Sequence, residues 1–594
     1  MKTIFTALVL CAVALLAASP GQLFAQSDTI WVAASPAGNI NDFIGGDTLA
    51  DGSRAHANAI YALYRDSLYF YTATLESKGP LTIVAPDGAG APPVIASAVL
   101  PDGSTVWTFL NSDKGNLTLK NLYLLGVGPN NQWLGWGSAV NINGDSSKVV
   151  VDGCVFDEWS DGAVDQNGSW DSFWFTNNYF INDIHSSSYF GGHDWESHGV
   201  PTDTIIMVNN TMFNDNSYSY CPTGYVRFNR FEHNTVCLNM VNPQNDFFGT
   251  NEIVSNNIFY STLMIGQQID EAYGAWYDTV PYKSFAWSGS STISLDTLGL
   301  LNWIAQYPAE HLSDATRKVL IHNNAYFWPS QVVNFWTAYN DTVTKKVAVS
   351  YSDSSFNPSH GPHDTLLVND TIKAILVPPA GWMNGRTQGM FSNKTMFPGL
   401  SAWANDSVDP GFPSFVSNQI DSALKYVVAI RAGLYPGFMW DYTAGQPMFS
   451  WLWPLPNLAY SNVSLQTAGS DGYALGDLNQ FPTQKAAWLA AGGLGLGVKP
   501  QVVSVPGKFE LRNNYPNPFN PTTTISFTLN ATGPASLKIY NVLGQLVMTV
   551  DEGVRNAGQL YTFNVNMDRF SSGVYFYTLQ QATNSITKKM LLLK

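Results

Sequence analysis

The chain has 594 residues, a formal net charge of −15 and only 12% charged residues, about half the usual share. So few Lys and Arg side chains (29 in all) can neutralise little phosphate, which argues against nucleic acid as a partner. Aromatic residues are plentiful, including 19 Trp, and the length implies more than one domain.

Residues 1–25 contain Lys2, an apolar run from Ile4 to Ala17, and Leu23-Phe24-Ala25 before Gln26, the pattern of a secretory signal peptide. Cys11 falls in that leader. Cys154, Cys221 and Cys237 remain, an odd number that implies no disulfide framework, although a Cys221–Cys237 bridge stays open. No later stretch reaches the roughly 18–20 apolar residues of a membrane span, so no transmembrane segment is expected in the mature chain.

From Asp28 to about Leu110 the sequence reads as short strands and turns (DTIWVAA, DSLYFYTATL, GPLTIVAPDGAGAPPVI). HANAIYALY (56–64) is expected to form an amphipathic helix that caps an open end.

Between Leu117 and Tyr326 one pattern returns: LTLKNLYL, VVVDGCVF, FWFTNNYF, IIMVNNTM, NRFEHNTV, EIVSNNIF and VLIHNNAY. Its sixth position falls at residues 122, 154, 178, 210, 234, 257 and 324, so the steps are 32, 24, 32, 24, 23 and 67. Apolar-x-apolar strands with a period near 24 predict a stacked β-solenoid, since no copy can bury its apolar face alone. The Asn pair has a mechanism. Asn tolerates the left-handed backbone of a sharp corner, and stacked amides can hydrogen-bond from coil to coil. The second and fourth repeat positions, such as Trp174, Arg230 and Glu232, are expected to face outward.

The two 32-residue steps each carry about eight extra residues, within 125–147 and 184–203, which are expected to flank one cleft. The 67-residue step implies a larger insertion (263–316) or two degenerate coils. Over 331–500 the period fades; the region reads as further coils or a Trp/Pro-rich cap, with one short helix at TQKAAWLAAGG. A linker (501–507) precedes 508–594, where FELRNNYPNPFNPTTTISFTL, LKIYNVLGQLV, SSGVYFYTLQ and TKKMLLLK follow at turn-separated intervals, as in a small β-sandwich.

The repeats of residues 117–326 resemble the right-handed parallel β-helix of the pectate-lyase-like superfamily, so 26–330 is expected to be such a helix with an N-terminal cap and the fold class all-β: a solenoid followed by an Ig-like sandwich. Residues 508–594 resemble the type A C-terminal sorting domain of the type IX secretion system. That resemblance implies export to the cell surface or medium, with the type IX machinery as a partner. Within the superfamily, β-elimination of uronates uses basic residues, and its hydrolases carry an adjacent Asp pair with a downstream Arg-x-Lys. Only Lys120, Arg227 and Arg230 sit suitably in the regular coils, and neither hydrolase element occurs.

Chemistry is most concentrated in GGHDWESHG, read as a loop outside the core. His193, Asp194, Glu196 and His198 could supply acid/base groups or metal ligands there, facing Asp157, Asp161, Asp165 and Arg230. Trp159, Trp174 and Trp195 are candidates for stacking on sugar rings. Asp183 and Asp215 follow the second apolar position of adjacent copies, so they should stack about 4.8 Å apart. Such a pair must share a proton or a cation, with Ca²⁺ as the fitting ion, or act as acid and base in glycoside hydrolysis. Three readings stand: a secreted surface protein that binds or processes polysaccharide, a non-catalytic adhesin or structural rod, and a metal-dependent glycan hydrolase or lyase.

Overall fold

A computed structural model describes residues 29–34, 40–56, 59–130, 133–185, 191–241, 243–245, 249–265, 291–295, 298, 313–342, 346–347, 372–373, 381–383, 385–431, 455–494, 509–514, 516–529, 533–542, 544–555, 561–582 and 584–594. These residues form two units, divided at Ala491 and Gly492. The signal peptide and the linker lie outside the described residues, as does most of 263–316.

The first unit is a solenoid of three parallel sheets with eleven, ten and six strands among the described residues. One coil shows the plan. Gly162–Gln166 belongs to the six-stranded sheet, Asp171–Thr176 to the eleven-stranded sheet and Tyr179–Ile181 to the ten-stranded sheet; His193–Ser197 then begins the next coil. Each strand pairs in parallel with its counterpart one coil away: Val149 lies opposite Leu117 and Phe173, and Phe173 opposite Ile205.

Side-chain alternation fills the interior. Leu119, Val151, Phe175, Met207, Phe231, Val254 and Ile321 are all fully buried in one core with Leu124, Phe156, Phe180, Met212 and Val236 from the ten-stranded sheet. At the second repeat position Thr118, Val150, Trp174, Arg230, Ile253 and Leu320 are partly exposed as the pattern requires, whereas Ile206 in the same row is buried. The fourth position is more buried than the pattern implies: Glu232 and His322 are covered. Residues 470–488 pack over that corner, where His233 meets Asp471 at 2.9 Å and the Ser470 amide donates to Asn256 at 2.8 Å.

The two Asn of each corner divide the work. The first takes the left-handed conformation, with φ of 60° at Asn177, 63° at Asn209, 60° at Asn256 and 53° at Asn323; His233 does the same at 51°. Its partner builds a ladder in the interior. Asn210 Nδ2 donates to Phe175 O at 3.0 Å and to Asn234 Oδ1 at 2.9 Å, while its own Oδ1 accepts the Asn178 amide at 2.9 Å. The rungs run from Asn178 through Asn210, Asn234, Asn257 and Asn324 to Asn405, so the solenoid continues one coil past the last recognisable repeat.

The ends depart from the sequence reading. Residues 56–64 are not a capping helix, because Ile60–Leu63 forms a strand paired with Thr29–Val32 and Leu81–Val84, and Tyr61, Ala62 and Leu63 are buried. A helix at Ile40–Gly46 buries Ile40 and Ile44 instead. The apolar run in 56–64 suits either element, and parallel pairing on both sides decides for strand. Within 331–500 lie helices Ser330–Thr342, Gly385–Ser392 and Ser414–Arg431, the added coil Leu400–Trp403 and Asp406–Ser407, and the expected short helix at Pro482–Ala490. Cys154, Cys221 and Cys237 are buried and none is in a disulfide, which closes the question of a Cys221–Cys237 bridge.

The second unit is a two-sheet antiparallel sandwich, with three and four strands. Ile525, Phe527, Leu537, Ile539, Tyr577, Leu579 and Met590 from both sheets share its core.

All 19 Trp fall at or before Trp488, so Trp fluorescence reports unfolding of the solenoid unit alone. By that signal in urea, Asn210→Ala is expected to cost about 2–4 kcal/mol, because Phe175 O and the Asn178 amide each lose a buried partner. The exposed Asn143→Ala should change stability by less than about 0.5 kcal/mol. Equal effects would mean the buried amides are not what holds the coils. Phe175→Ala should cost about 3–5 kcal/mol, as for other buried aromatics; an unaffected midpoint would refute the inward register.

Candidate functional site

GGHDWESHG is not a solvated loop. His193–Ser197 is a strand of the six-stranded sheet, with His193 opposite Gly162, Trp195 opposite Val164 and Glu196 opposite Asp165. Parallel pairing on both sides and the buried Trp195 pull these polar residues into the solenoid wall. A change at His193 therefore acts on the core, contrary to the expectation for an external loop.

On the outer face of this sheet, His193 Nε2 lies 2.8 Å from Asp165 Oδ1 and 3.5 Å from Glu196 Oε2. His198 Nε2 lies 3.3 Å from Asp165 Oδ2, which also accepts from Ser138 Oγ at 2.5 Å. Gly162 makes this possible: a Cβ there would run into the imidazole of His193. Burial works against charge on Asp165, yet the His193 imidazolium, and then His198, hold its carboxyl far below the usual range. Burial would likewise lower His193, but Asp165 and then Glu196 raise it to about 10. The hydrogen bond to Asp165 raises His198. Glu196 and Asp161 are raised, each chiefly by burial. These groups are mutually neutralised and firmly placed.

The same face carries a row that crosses the sheet. Glu76, Asn111, Asn141, Asp165 and Glu196 are in register on successive coils. Asn111 Nδ2 donates to Glu76 at 2.9 Å and Asn141 Nδ2 to Asn111 at 3.0 Å. A second row beside it has Asn143 donating to Asp113 at 2.9 Å and Asn167 to Asn143 at 3.1 Å.

Along one border of the sheet, the turns entering its strands carry aromatic rings. Trp107 is 53% exposed and Trp136 is 54% exposed. Gly135 and Gly137 lie directly against Trp107. Trp136 packs against His185 with ring centroids 3.5 Å apart and the planes tilted by 39°. The Ser160 hydroxyl bonds Leu134 O at 2.7 Å, which joins these turns to Asp161. The two insertions expected to flank a cleft thus do meet, through Trp136 and His185.

The other candidates lie elsewhere. Trp174 is on the outer face of the eleven-stranded sheet under Lys148 Nζ, 4.7 Å from the ring centroid. Arg230 shares that face, and its Nε donates to Glu232 at 2.6 Å, so it is not part of the His193 group. Trp159 and Trp195 are fully buried; Trp159 Nε1 donates to Leu124 O at 3.0 Å, and Trp195 stacks on Tyr220. Both are core residues and cannot meet a sugar ring. Asp157 is buried as well, bonded by Tyr123 at 2.5 Å and by Asn182 at 3.0 Å.

Asp183 and Asp215 stack as neighbours inside the unit, and Asp194 joins them instead of facing substrate. All three are essentially unexposed, and each offers an oxygen within 4.8 Å of the other two. Sequence reasoning missed Asp194 here because it arrives from the following strand, and missed Ser138, Trp107 and Trp136. The WLGWG stretch within the first insertion was the available signal for Trp136.

Among comparisons with known proteins, residues 513–593 match the family of secretion system C-terminal sorting domains. No curated protein matches the chain. The sorting domain marks proteins exported by type IX secretion, so the chain reaches the cell surface or extracellular space through that machinery. No described helix is long and apolar enough to cross a membrane.

His193→Asn should destabilise the solenoid by about 3–5 kcal/mol, because it leaves the buried Asp165 carboxylate without its imidazolium. Replacing both groups, His193→Asn with Asp165→Asn, should recover most of that loss. Urea unfolding followed by Trp fluorescence measures both, and a single variant as stable as the parent would show the pair to be energetically idle.

Proposed function

We propose that this exported β-helix protein binds extracellular polysaccharide on the outer face of its six-stranded sheet. One observation carries the reading: Glu76, Asn111, Asn141 and Glu196 stand in register on successive coils, with the buried Asp165 between the last two, and are bordered by the exposed rings of Trp107 and Trp136. Amides and carboxylates repeated about every 4.8 Å suit a repeating chain of hydroxyls. Indole faces offer apolar surface to sugar rings while their N–H groups stay available. The face carries imidazoles but little else that is cationic, so it fits a neutral glycan better than a polyuronate.

Binding is favoured over turnover by the state of the Asp165–His193 pair. Asp165 and His193 are locked in a buried ion pair, and Asp165 is too strongly acidic to act as a base near neutrality. A base needs a pKa near its working pH, and a nucleophile or acid needs room to approach. The adhesin reading is compatible with the same surface, since a rod that holds a glycan is an adhesin by function.

Gel-retardation with a panel of neutral and acidic polysaccharides tests this. The parent chain should be retarded by at least one neutral glycan, without release of reducing ends or unsaturated uronates. Trp107→Ala with Trp136→Ala should weaken retardation tenfold or more while leaving unfolding unchanged. Migration unaffected by every glycan, or equal retardation of the variant, would overturn the proposal.

A further inference from the structure

We infer that Asp183, Asp194 and Asp215 hold one calcium ion inside the solenoid wall, a site separate from the outer face and independent of any glycan bound there. The three come from different parts of two coils. Asp183 and Asp215 each follow a left-handed residue, Asn182 (φ 57°) and Asn214 (φ 65°), which turns the chain out of the ten-stranded sheet. Asp194 sits on the strand His193–Ser197, and its amide donates to Tyr218 O at 3.0 Å. Convergence is therefore fixed by backbone, not by flexible side chains.

The state of the oxygens points to a ligand. Asp183 Oδ1 accepts the Trp159 amide at 2.8 Å, but its Oδ2, both oxygens of Asp194 and both of Asp215 are buried with no hydrogen-bond partner. Five such carboxylate oxygens, in side chains no more than 1% exposed, are a large uncompensated cost in a folded interior. Neutral oxygens lie around them. The Ser219 hydroxyl lies beside Asp194 without completing a hydrogen bond to it. Asn239 occupies the next rung after Asp215; its Nδ2 donates to Ser217 O at 2.6 Å, which leaves Oδ1 unpartnered, as is the Ser217 hydroxyl.

Among the described residues, no arginine or lysine acts on these three carboxyls. His193 acts on Asp183 and Asp194 but is already paired with Asp165. Three oxygens within 4.8 Å of one another have a common centre no more than about 2.8 Å from each, so an inward shift of a few tenths of an ångström brings them to the 2.3–2.6 Å typical of calcium. An all-oxygen set with three carboxylates is hard, which disfavours Zn²⁺ and Cu²⁺. A cage built wholly of protein suits Ca²⁺ better than Mg²⁺, which keeps its waters. The alternative occupant is protons: burial raises all three carboxyls, and without a cation they must be largely neutral.

The experiment uses the full exported chain, unfolded and refolded in calcium chloride or in chelator, desalted, and analysed for metals. One calcium per chain is expected, with an unfolding midpoint by Trp fluorescence that climbs with the logarithm of calcium concentration. Magnesium chloride should leave the midpoint where chelator puts it. Asp194→Asn with Asp215→Asn should bind no calcium and show a midpoint that calcium no longer moves. If that variant fails to fold, the metal content and calcium response of the parent chain decide. A parent chain that retains no calcium and unfolds identically in calcium and in chelator would overturn the site in favour of shared protons. Stoichiometric zinc in place of calcium would overturn the ion assigned.

Discussion

The buried amide ladder is the constraint on which everything else in the solenoid depends. A strand pairs with its neighbour through evenly spaced backbone bonds that would tolerate a slip by two residues. The ladder does not tolerate it. Each Asn must meet the amide of the Asn one coil away and the carbonyl three residues before that Asn, as Asn210 does with Asn178 and Phe175. Register is thereby locked from Asn178 to Asn405, across coils that differ in length by eight residues or more. The extra residues lie in the turns that enter the six-stranded sheet, ahead of Val140–Ile142 and His193–Ser197.

Locked register has an electrostatic consequence. Whatever type of residue recurs at one repeat position becomes a column with a spacing of about 4.8 Å. Uncharged amides such as Asn111 and Asn141 profit, since each can donate to the next. Carboxylates do not, and the molecule meets that difficulty in two ways. On the outer face, Asp165 and Glu196 are stacked, and His193 and His198 are set between them as counter-charges. In the interior, Asp183, Asp194 and Asp215 have no such partner, which is why the same repetition that builds the fold also prepares a cation site.

The division of labour along the chain follows from the two units. The C-terminal sandwich carries the export address and says nothing about cargo chemistry. The solenoid offers long, flat faces of fixed periodicity. Helix Ser414–Arg431 reaches the ten-stranded sheet, where Phe415 meets Phe213 and Tyr426 bonds Asn216 at 3.1 Å. Residues 470–488 cover the corner beside it. The six-stranded sheet instead presents polar rows and the exposed indoles of Trp107 and Trp136.

How much of this was legible in the sequence depended on range. The Asn-Asn corners, the inward row through Phe175 and Met207, the pairing of Asp183 with Asp215 and the C-terminal sandwich all follow from residues repeated at a readable period. The helix at Pro482–Ala490 follows from local propensity. Tertiary structure alone decided the rest. Ile60–Leu63 became a strand because two neighbours offered parallel pairing, and HDWES became wall instead of loop for the same reason. Trp159 and Trp195 went inward, and Arg230 was separated from His193, because position around the coil depends on turn lengths that local pattern does not encode. Asp194 joined the inner carboxylates through a strand that no repeat predicts. Periodicity determines what stacks upon what; only the closed circuit of three sheets determines which columns face each other.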